Sequence, residues 1–201
     1  MQDKSTFSKL KEAEREVRRN LILDTAVKIF AERPFEKVSL REIAAAAGIS
    51  PASIYRYFAD RDDLFVEAFI REGKVLLSYL EELFTGTGMV SLEKMAVAYI
   101  DFLFDHDTFF KMMTYFMMSG KISKESLVKL NEMARQILNI FDRAFLGHGI
   151  KENVRLYSHV FFASLNGIMI TFRNYPGRKP KEVRHHMHRL ASFLAGHFIS
   201  Q

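Results

Sequence analysis

Residues 38–64 read VSLREIAAAAGISPASIYRYFADRDDL, two short helices joined by a tight turn and followed by the start of a third. Ser39 is placed to N-cap the first helix, and Glu42 stands three residues on, the spacing of a capping box. Leu40, Ile43, Ala44 and Ala47 recur at helical spacing and give that helix one apolar face. Residues 44–47 are all alanine, so a second helix can approach closely. Gly48 follows where a left-handed C-terminal cap favours a residue without a Cβ. Ile49 fills the turn, Ser50 can cap again, and Pro51 takes the first helical position, where its missing N–H costs nothing. Ile54 and Phe58, four apart, should face a core; Ser53, Arg56 and Tyr57 should point outward, with Tyr55 near the boundary. An ordinary αα-hairpin would share the caps and the glycine turn. The other reading is a helix-turn-helix, whose second helix enters the DNA major groove.

The wider pattern resembles the DNA-binding domain of the TetR family of transcriptional regulators. The residues that carry the resemblance are Ile29, Phe30 and Glu32 at the end of a preceding helix, Ser39, Ile43, Ala44, Ala47, Gly48 and Ser50, then Tyr55, Tyr57 and Phe58, and finally Asp63, Leu64 and Ala68. It spans roughly residues 18–69. Two positions depart from the family pattern. Pro34 stands where a glycine is usual and should stop the helix as well. Arg61 replaces the usual lysine and keeps the positive charge in fork form.

Composition narrows the alternatives. With 48% hydrophobic residues in a chain of 201, a sizeable core is available. There is no cysteine, which removes disulfide frameworks and thiolate metal sites and makes a reducing compartment the natural expectation. The first twenty residues show no apolar h-region, and the longest apolar stretch, 160–172, is interrupted by Ser164, Asn166 and Gly167. A cytoplasmic protein with no membrane partner is expected. The net charge of +5 suits nucleic acid, yet residues 1–65 carry 12 Lys/Arg against 11 Asp/Glu, so placement matters more than the total. Lys9, Lys11, Arg15, Arg18 and Arg19 precede the first apolar face, and of these Arg18 and Arg19 are expected to reach phosphates.

The rest of the chain reads as helices without strands, repeats or low-complexity segments. Residues 1–15 form a mobile or helical arm, and the first core helix runs from near Glu16 to Glu32, burying Ile22, Ala26, Ile29 and Phe30. A long helix, N-capped by Asp60, continues to about Phe84. After the loop Thr85-Gly86-Thr87-Gly88, Ser91 opens a helix to about Asp105. Residues 108–119, TFFKMMTYFMMS, form an aromatic and methionine block closed by Gly120. Ser123 caps a helix to about Leu146, broken by Gly147 and Gly149; two more helices cover 151–174 and 181–199. The expected architecture is all-α with about nine helices. The resemblance implies an N-terminal arm and three-helix DNA-binding domain over 1–60, and a six-helix effector-binding and dimerisation domain over 61–201.

The resemblance assigns phosphate contacts to Ser39, Arg41, Tyr55, Tyr57 and Arg61, and base-facing positions to Ser50, Pro51, Ala52, Ser53 and Arg56. Arg56 is the best candidate for direct readout, since arginine to guanine is the commonest specific contact; a phosphate clamp is the alternative. Consecutive Phe and Met in the block exceed what one buried face needs, which predicts an apolar pocket lined by some of Phe102, Phe109, Met112, Met113, Phe116, Met117, Phe162 and Asn166. The family holds its inducer in this part of the chain, and the lining suits a small lipophilic effector such as a long-chain acyl group, an acyl-CoA or a hydrophobic drug. The resemblance implies a dimer face over residues 155–173 and 181–199, with contacts from Phe161, Ala163, Leu165, Gly167, Phe193, Leu194 and Phe198. Glu182 and His185 make a lone Glu-x-x-His, where a di-iron bundle needs two, so His185, His186 and His188 are read with Arg184 and Arg189 as a basic, solvated helix face. Asp101, Asp105 and His106 are read as exposed. Neither a phosphate-cradling glycine loop nor a recognisable nucleophile is present, and neither enzyme activity nor a cofactor is expected. The reading is a homodimeric regulator, a repressor released from a near-palindromic operator in double-stranded DNA by a lipophilic ligand. The alternative is a helical lipid- or acyl-group-binding module with a vestigial DNA motif.

Overall fold

The computed structural model describes residues 2–86, 88–118 and 123–199. Ser119 and Gly120, expected to close the aromatic and methionine block, and Thr87 of the expected loop lie outside the described residues. All the regular elements of the described residues are helices, with no strand among them.

The N-terminal arm is helical and continuous with the first core helix, giving α1 (Gln2–Glu32). Its inward stripe is Ile22, Leu23, Ala26 and Phe30, while Ile29 packs only at the edge of the core. Pro34 ends it as expected: its extended backbone (φ −55°, ψ 136°) opens a single 3₁₀ turn, Phe35–Lys37. Helix α2 (Leu40–Ala46) and the short α3 (Pro51–Ile54) follow. Asp60 is the N-cap of α4 (Arg61–Glu82) and accepts from the Asp63 N–H. Helix α4 buries Leu64, Phe65, Val66, Ala68, Phe69, Leu76 and Leu80, its first turns against α1.

The remaining helices are α5 (Leu92–Asp105), α6 (Asp107–Met118), α7 (Lys124–Gly147), α8 (Val154–Phe172) and α9 (Pro180–Ile199). Ser91 and Ser123 cap α5 and α7 through the N–H groups of Lys94 and Ser126. Gly147 does not break α7 but is its last residue; the break comes at Gly149, whose φ of +82° a side chain would strain. Helix α8 starts at Val154, three residues later than expected, after Asn153 in a left-handed conformation (φ 52°). Helix α7 lies along α4 and α8, and α9 along α5 and α8. The α4–α7 crossing is close: a Cβ on Gly73 would stand 2.9 Å from the Met133 sulfur.

Two surface expectations change. Arg184 and His188 of α9 are not freely solvated: Arg184 bridges Asp101 (2.7 Å) and Asp105 (2.7 Å), and His188 Nε2 lies 2.6 Å from Asp101 Oδ1. Asp101 is accordingly half-buried. His106 is on the surface but engaged, stacked on Phe102 at 3.8 Å with Nδ1 2.8 Å from the Phe102 carbonyl. No group of three or more His, Cys, Asp or Glu among the described residues could hold a metal ion. No described helix is long and apolar enough to cross a membrane.

Phe65 is the aromatic hub between α1, the 3₁₀ turn and α6. Phe65→Ala is expected to cost about 3–5 kcal/mol of unfolding free energy, as Phe-to-Ala changes in cores do; urea unfolding followed by circular dichroism measures it.

Candidate nucleic-acid interface

The interface is assembled by local hydrogen bonds. Ser39 Oγ accepts from the Glu42 N–H (3.3 Å), and Glu42 Oε2 accepts from the Ser39 N–H (2.9 Å), completing the capping box. Arg33 at the end of α1 donates to Glu42 Oε1 (2.7 Å) and so ties α1 to α2. The Arg33 hydrogen bond, with those from Ser39, draws the Glu42 carboxyl down to about 2. Gly48 adopts φ +69°, and the Ile49 N–H returns to the Ala44 carbonyl (2.9 Å), closing α2 and turning the chain. Ser50 Oγ then accepts from the Ser53 N–H (3.1 Å) and lies 2.8 Å from Ser53 Oγ.

Ile54 and Phe58 are fully buried, which fixes the face that α3 turns outward. Ser50, Pro51, Ala52, Tyr55 and Arg56 are exposed, and Ser53 is half-buried. The two tyrosines exchange the places expected of them. Tyr55 stands out into solvent, while Tyr57 packs against the core. The reason is that α3 ends at Ile54, and residues 55–57 form a turn whose directions a helical projection misplaces.

The basic side chains divide by what already holds them. Arg18 pairs with Glu14 one turn back (2.5 Å) on the exposed surface. Arg19 is half-buried, bonded to Glu67 (2.7 Å) and set over the Phe58 ring at 5.4 Å. Arg61 lies over Phe35 at 4.5 Å and donates to the Glu36 carbonyl (3.2 Å). Among the described residues, Arg41 and Arg56 make no ion pair, and both are exposed. A pre-existing carboxylate partner must be exchanged before a phosphate can be taken, so Arg41 and Arg56 are more available to an anion than Arg18 or Arg19.

Ser39, Tyr55 and Arg61 come together in one open recess of about 340 Å³, with Lys37, Val38, Leu40, Glu36 and Asp60 around them. Lys37 is the residue that the sequence reading missed. Its only local signal is its position two residues before the Ser39 cap.

Behind this surface, an ion network straps the recognition unit to the larger helical body. Glu67 on α4 accepts from Arg19 of α1 and from Lys129 of α7 (2.5 Å), and Lys129 also reaches Asp63 (3.1 Å). Burial works against the Glu67 carboxylate, but the hydrogen bonds from Lys129 and Arg19 outweigh it and hold its pKa below the usual value. A chain of rings runs beside the network. Phe35 stacks on Phe65 at 3.8 Å, Tyr115 meets both edge-on, and Phe116 links Phe65 to Phe69, which stacks on Phe109.

The residues expected to line an effector pocket fall in different places among the described residues. Phe102, Phe109, Met112 and Met113 are buried in the core, and Met117 is on the surface, 47% exposed. Met112 borders a recess of about 280 Å³ shared with Phe30, Phe35, Phe65 and Tyr115, and Phe102 borders another of about 350 Å³ beside Tyr79. Asn166 is buried, donates to the Phe162 carbonyl (2.8 Å) and faces the Tyr99 hydroxyl (3.2 Å). Burial pushes the Tyr99 hydroxyl well above its ordinary pKa. Of the residues expected at a dimer face, Phe161 and Leu165 have no exposed surface. Phe161 packs edge-on against Phe141, Phe145 and Phe198 within the subunit, and Leu194 and Phe198 are partly buried. Phe193 stands out at 68% exposed, and Ala163 and Gly167 of the same expected face are also on the surface.

A capped pair of helices with a left-handed glycine turn, an anchored second helix and exposed arginines on α2 and in the turn after α3 has the form of a helix-turn-helix. Residues 22–68 match the sequence model of the bacterial regulatory proteins of the tetR family. An uncharacterized HTH-type transcriptional regulator of Haemophilus influenzae is 37% identical over 70 residues, 34% of this chain and 34% of that protein. The chain thus matches about a third of the length of that curated relative. Residues 22–68 are thus similar to the N-terminal domain of the TetR family, a class of DNA-binding transcriptional regulators. The fold extends the likeness over most of the chain. The fatty acid degradation regulator FadR of Bacillus halodurans superposes with a TM-score of 0.66 over 86% of this chain and 97% of that one, at 19% identity. FadR of Bacillus subtilis in complex with stearoyl-CoA gives 0.67 over 86% and 96%, at 20% identity. A tetR-family regulatory protein from Rhodococcus RHA1 gives 0.69 over 89% and 96%, at 16% identity.

Glu42→Gln isolates the charge-dependent part of the capping box. A depressed carboxylate pKa contributes stability that is present above the unfolded value of about 4.5 and lost as pH falls toward about 2. The melting temperature of the variant is expected to lie below that of the parent at pH 7, and thermal melts should show the gap closing between pH 4.5 and pH 2.

Proposed function

We propose that the protein is a homodimeric, ligand-responsive repressor that binds a near-palindromic operator and is released by a lipophilic effector. The observation that carries the DNA reading is the turn that closes α3, where Arg56 is exposed and pairs with no carboxylate among the described residues, between the buried anchors Ile54 and Phe58. Ser50, Pro51, Ala52 and Ser53 sit at the N-terminal end that would meet base edges; Ser39, Arg41, Tyr55 and Arg61 flank it where phosphates would lie. Tyr57, with its ring against the core, keeps only its outer edge for this purpose. Arg18 and Arg19 would have to leave Glu14 and Glu67 to contribute.

Dimerisation is supported by a stripe on α8. Leu156, Val160, Ala163, Gly167 and Ile170 are exposed and repeat at alternating steps of four and three, the spacing of a helix–helix seam. Phe193 of α9 extends it. This stripe, not Phe161 and Leu165, would face the second subunit, and a two-fold axis would present two recognition helices to successive major grooves.

The effector reading draws on α6. Its Met and Phe side chains fill the core between the helical body and the recognition unit, and polarisable, flexible Met is suited to repacking around an inserted apolar chain. The stearoyl-CoA held by the Bacillus subtilis neighbour makes a long-chain acyl thioester the first effector to test. Ligand binding would displace α6, and Tyr115 and Phe116 would pass the displacement to Phe65 and Phe35, altering the setting of α2 and α3. The ligand shifts occupancy only by its affinity difference between the two settings.

Selection of bound duplexes from a random DNA pool tests the central claim. An enriched palindrome is the expected result; recovery of unrelated sequences would overturn it. On the selected site, Arg56→Ala is expected to lose about 1–3 kcal/mol and to relax preference at particular bases. Arg41→Ala should weaken all sequences alike and lower the salt slope by about 1, as read from binding isotherms at several salt concentrations. Val160→Glu places a charge on the α8 stripe and should yield monomers by sedimentation velocity.

A further inference from the structure

Where α8 passes into α9, the chain folds a small recess lined by Phe172, Tyr175, Arg178, Val183 and His186, with a volume of about 200 Å³. Phe172 and Tyr175 lie nearly parallel, with centroids 6.3 Å apart and an interplanar angle of 24°, and form one aromatic wall. His186 of α9 meets the Phe172 ring edge-on at 5.0 Å. Arg178 stands over Tyr175, its guanidinium carbon 5.2 Å from the ring centre. The turn that carries Arg178 is set by Gly177 at φ +77° and Pro176 before it.

The charge here is one-sided. Among the described residues, neither Arg178 nor His186 has a carboxylate partner, whereas Arg173, Arg184 and His188 nearby all do. Lys179 and Lys181 add to the same sign. The adjacent carboxylate, Glu182, is turned to the Lys179 backbone N–H (3.2 Å). A guanidinium over an aromatic face with no anion supplied by the protein offers its planar fork to a planar anion, and the two rings offer that anion an apolar body to stack on. The volume is below that of sites that take drug-sized ligands, which leaves room for one ring.

The geometry points to a second small-molecule site at the α8–α9 turn, specific for single-ring aromatic carboxylates. The ring lies along Phe172 and Tyr175, the carboxylate takes the Arg178 fork, and His186 supplies the second donor. Val183 closes the apolar side. The site lies apart from the α6 core invoked for the effector, and it stands or falls independently of that proposal.

Isothermal titration calorimetry of the full chain with sodium benzoate tests it, with benzamide as the neutral isostere and sodium acetate as the anion without a ring. Benzoate is expected to bind with a Kd on the order of 1 mM. Benzamide and acetate should each be at least about tenfold weaker, since one loses the charge-assisted pair and the other the ring. Arg178→Gln and Tyr175→Ala, both at exposed positions, should each weaken benzoate about tenfold, with Arg178→Lys falling between. His186→Gln, on the opposite wall, gives an independent reading should a change at Arg178 disturb the turn. Failure of benzoate to bind, equal binding of benzamide, or benzoate affinity unchanged in both Arg178→Gln and His186→Gln would overturn the proposal.

Discussion

The ring of Phe65 touches three parts of the molecule at once, and the relation between recognition unit and helical body depends on it. It is 1% exposed, stacked on Phe35 of the 3₁₀ turn, and met edge-on by Phe30 of α1 and Tyr115 of α6. Each aromatic pair adds about 0.5–1.5 kcal/mol beyond area burial, so the cluster is a strong and directional joint. A ring stack of this kind has discrete good arrangements rather than a continuum, which is what a joint needs if movement at one end is to reset the other.

The Glu67 network works at the same joint by different physics. Arg19, Glu67, Lys129 and Asp63 connect α1, α4 and α7 through charge, half in contact with solvent. Partial exposure keeps the net stabilisation modest, and salt screens it. The rings set the geometry of the joint; the ions bias which helices it holds together. Arg19 shows the tension, because a side chain needed to tie α1 to α4 is not at the same time free for a phosphate.

What the sequence made legible was local. The caps at Ser39, Ser50, Asp60, Ser91 and Ser123, and the left-handed Gly48, are all where single residues and short spacings placed them. The misplaced features depend on more distant partners or on a change of geometry. Tyr55 and Tyr57 exchange roles because the helix ends at Ile54, whereas a periodic reading carries it through Phe58. Phe161 and Leu165 were drawn to the surface because α8 is apolar nearly all the way round, and only packing against α7 and α9 decides which stripe turns inward. The Arg184 bridge to Asp101 and Asp105 joins residues about eighty positions apart, beyond the reach of any spacing rule.

A chain with ten methionines and no cysteine meets oxidants through its thioethers. Those of Met95, Met112, Met113, Met133, Met169 and Met187 are sealed in the interior, while Met118 at the end of α6 is 81% exposed and its neighbour Met117 is half in solvent. Peroxide therefore reaches the last turn of α6 before it reaches the core. Conversion to the sulfoxide makes a flexible apolar side chain polar, and the change is reversible by reductases. The helix that joins body to recognition unit thus carries, at its open end, two of the three exposed thioethers among the described residues, the third being Met89.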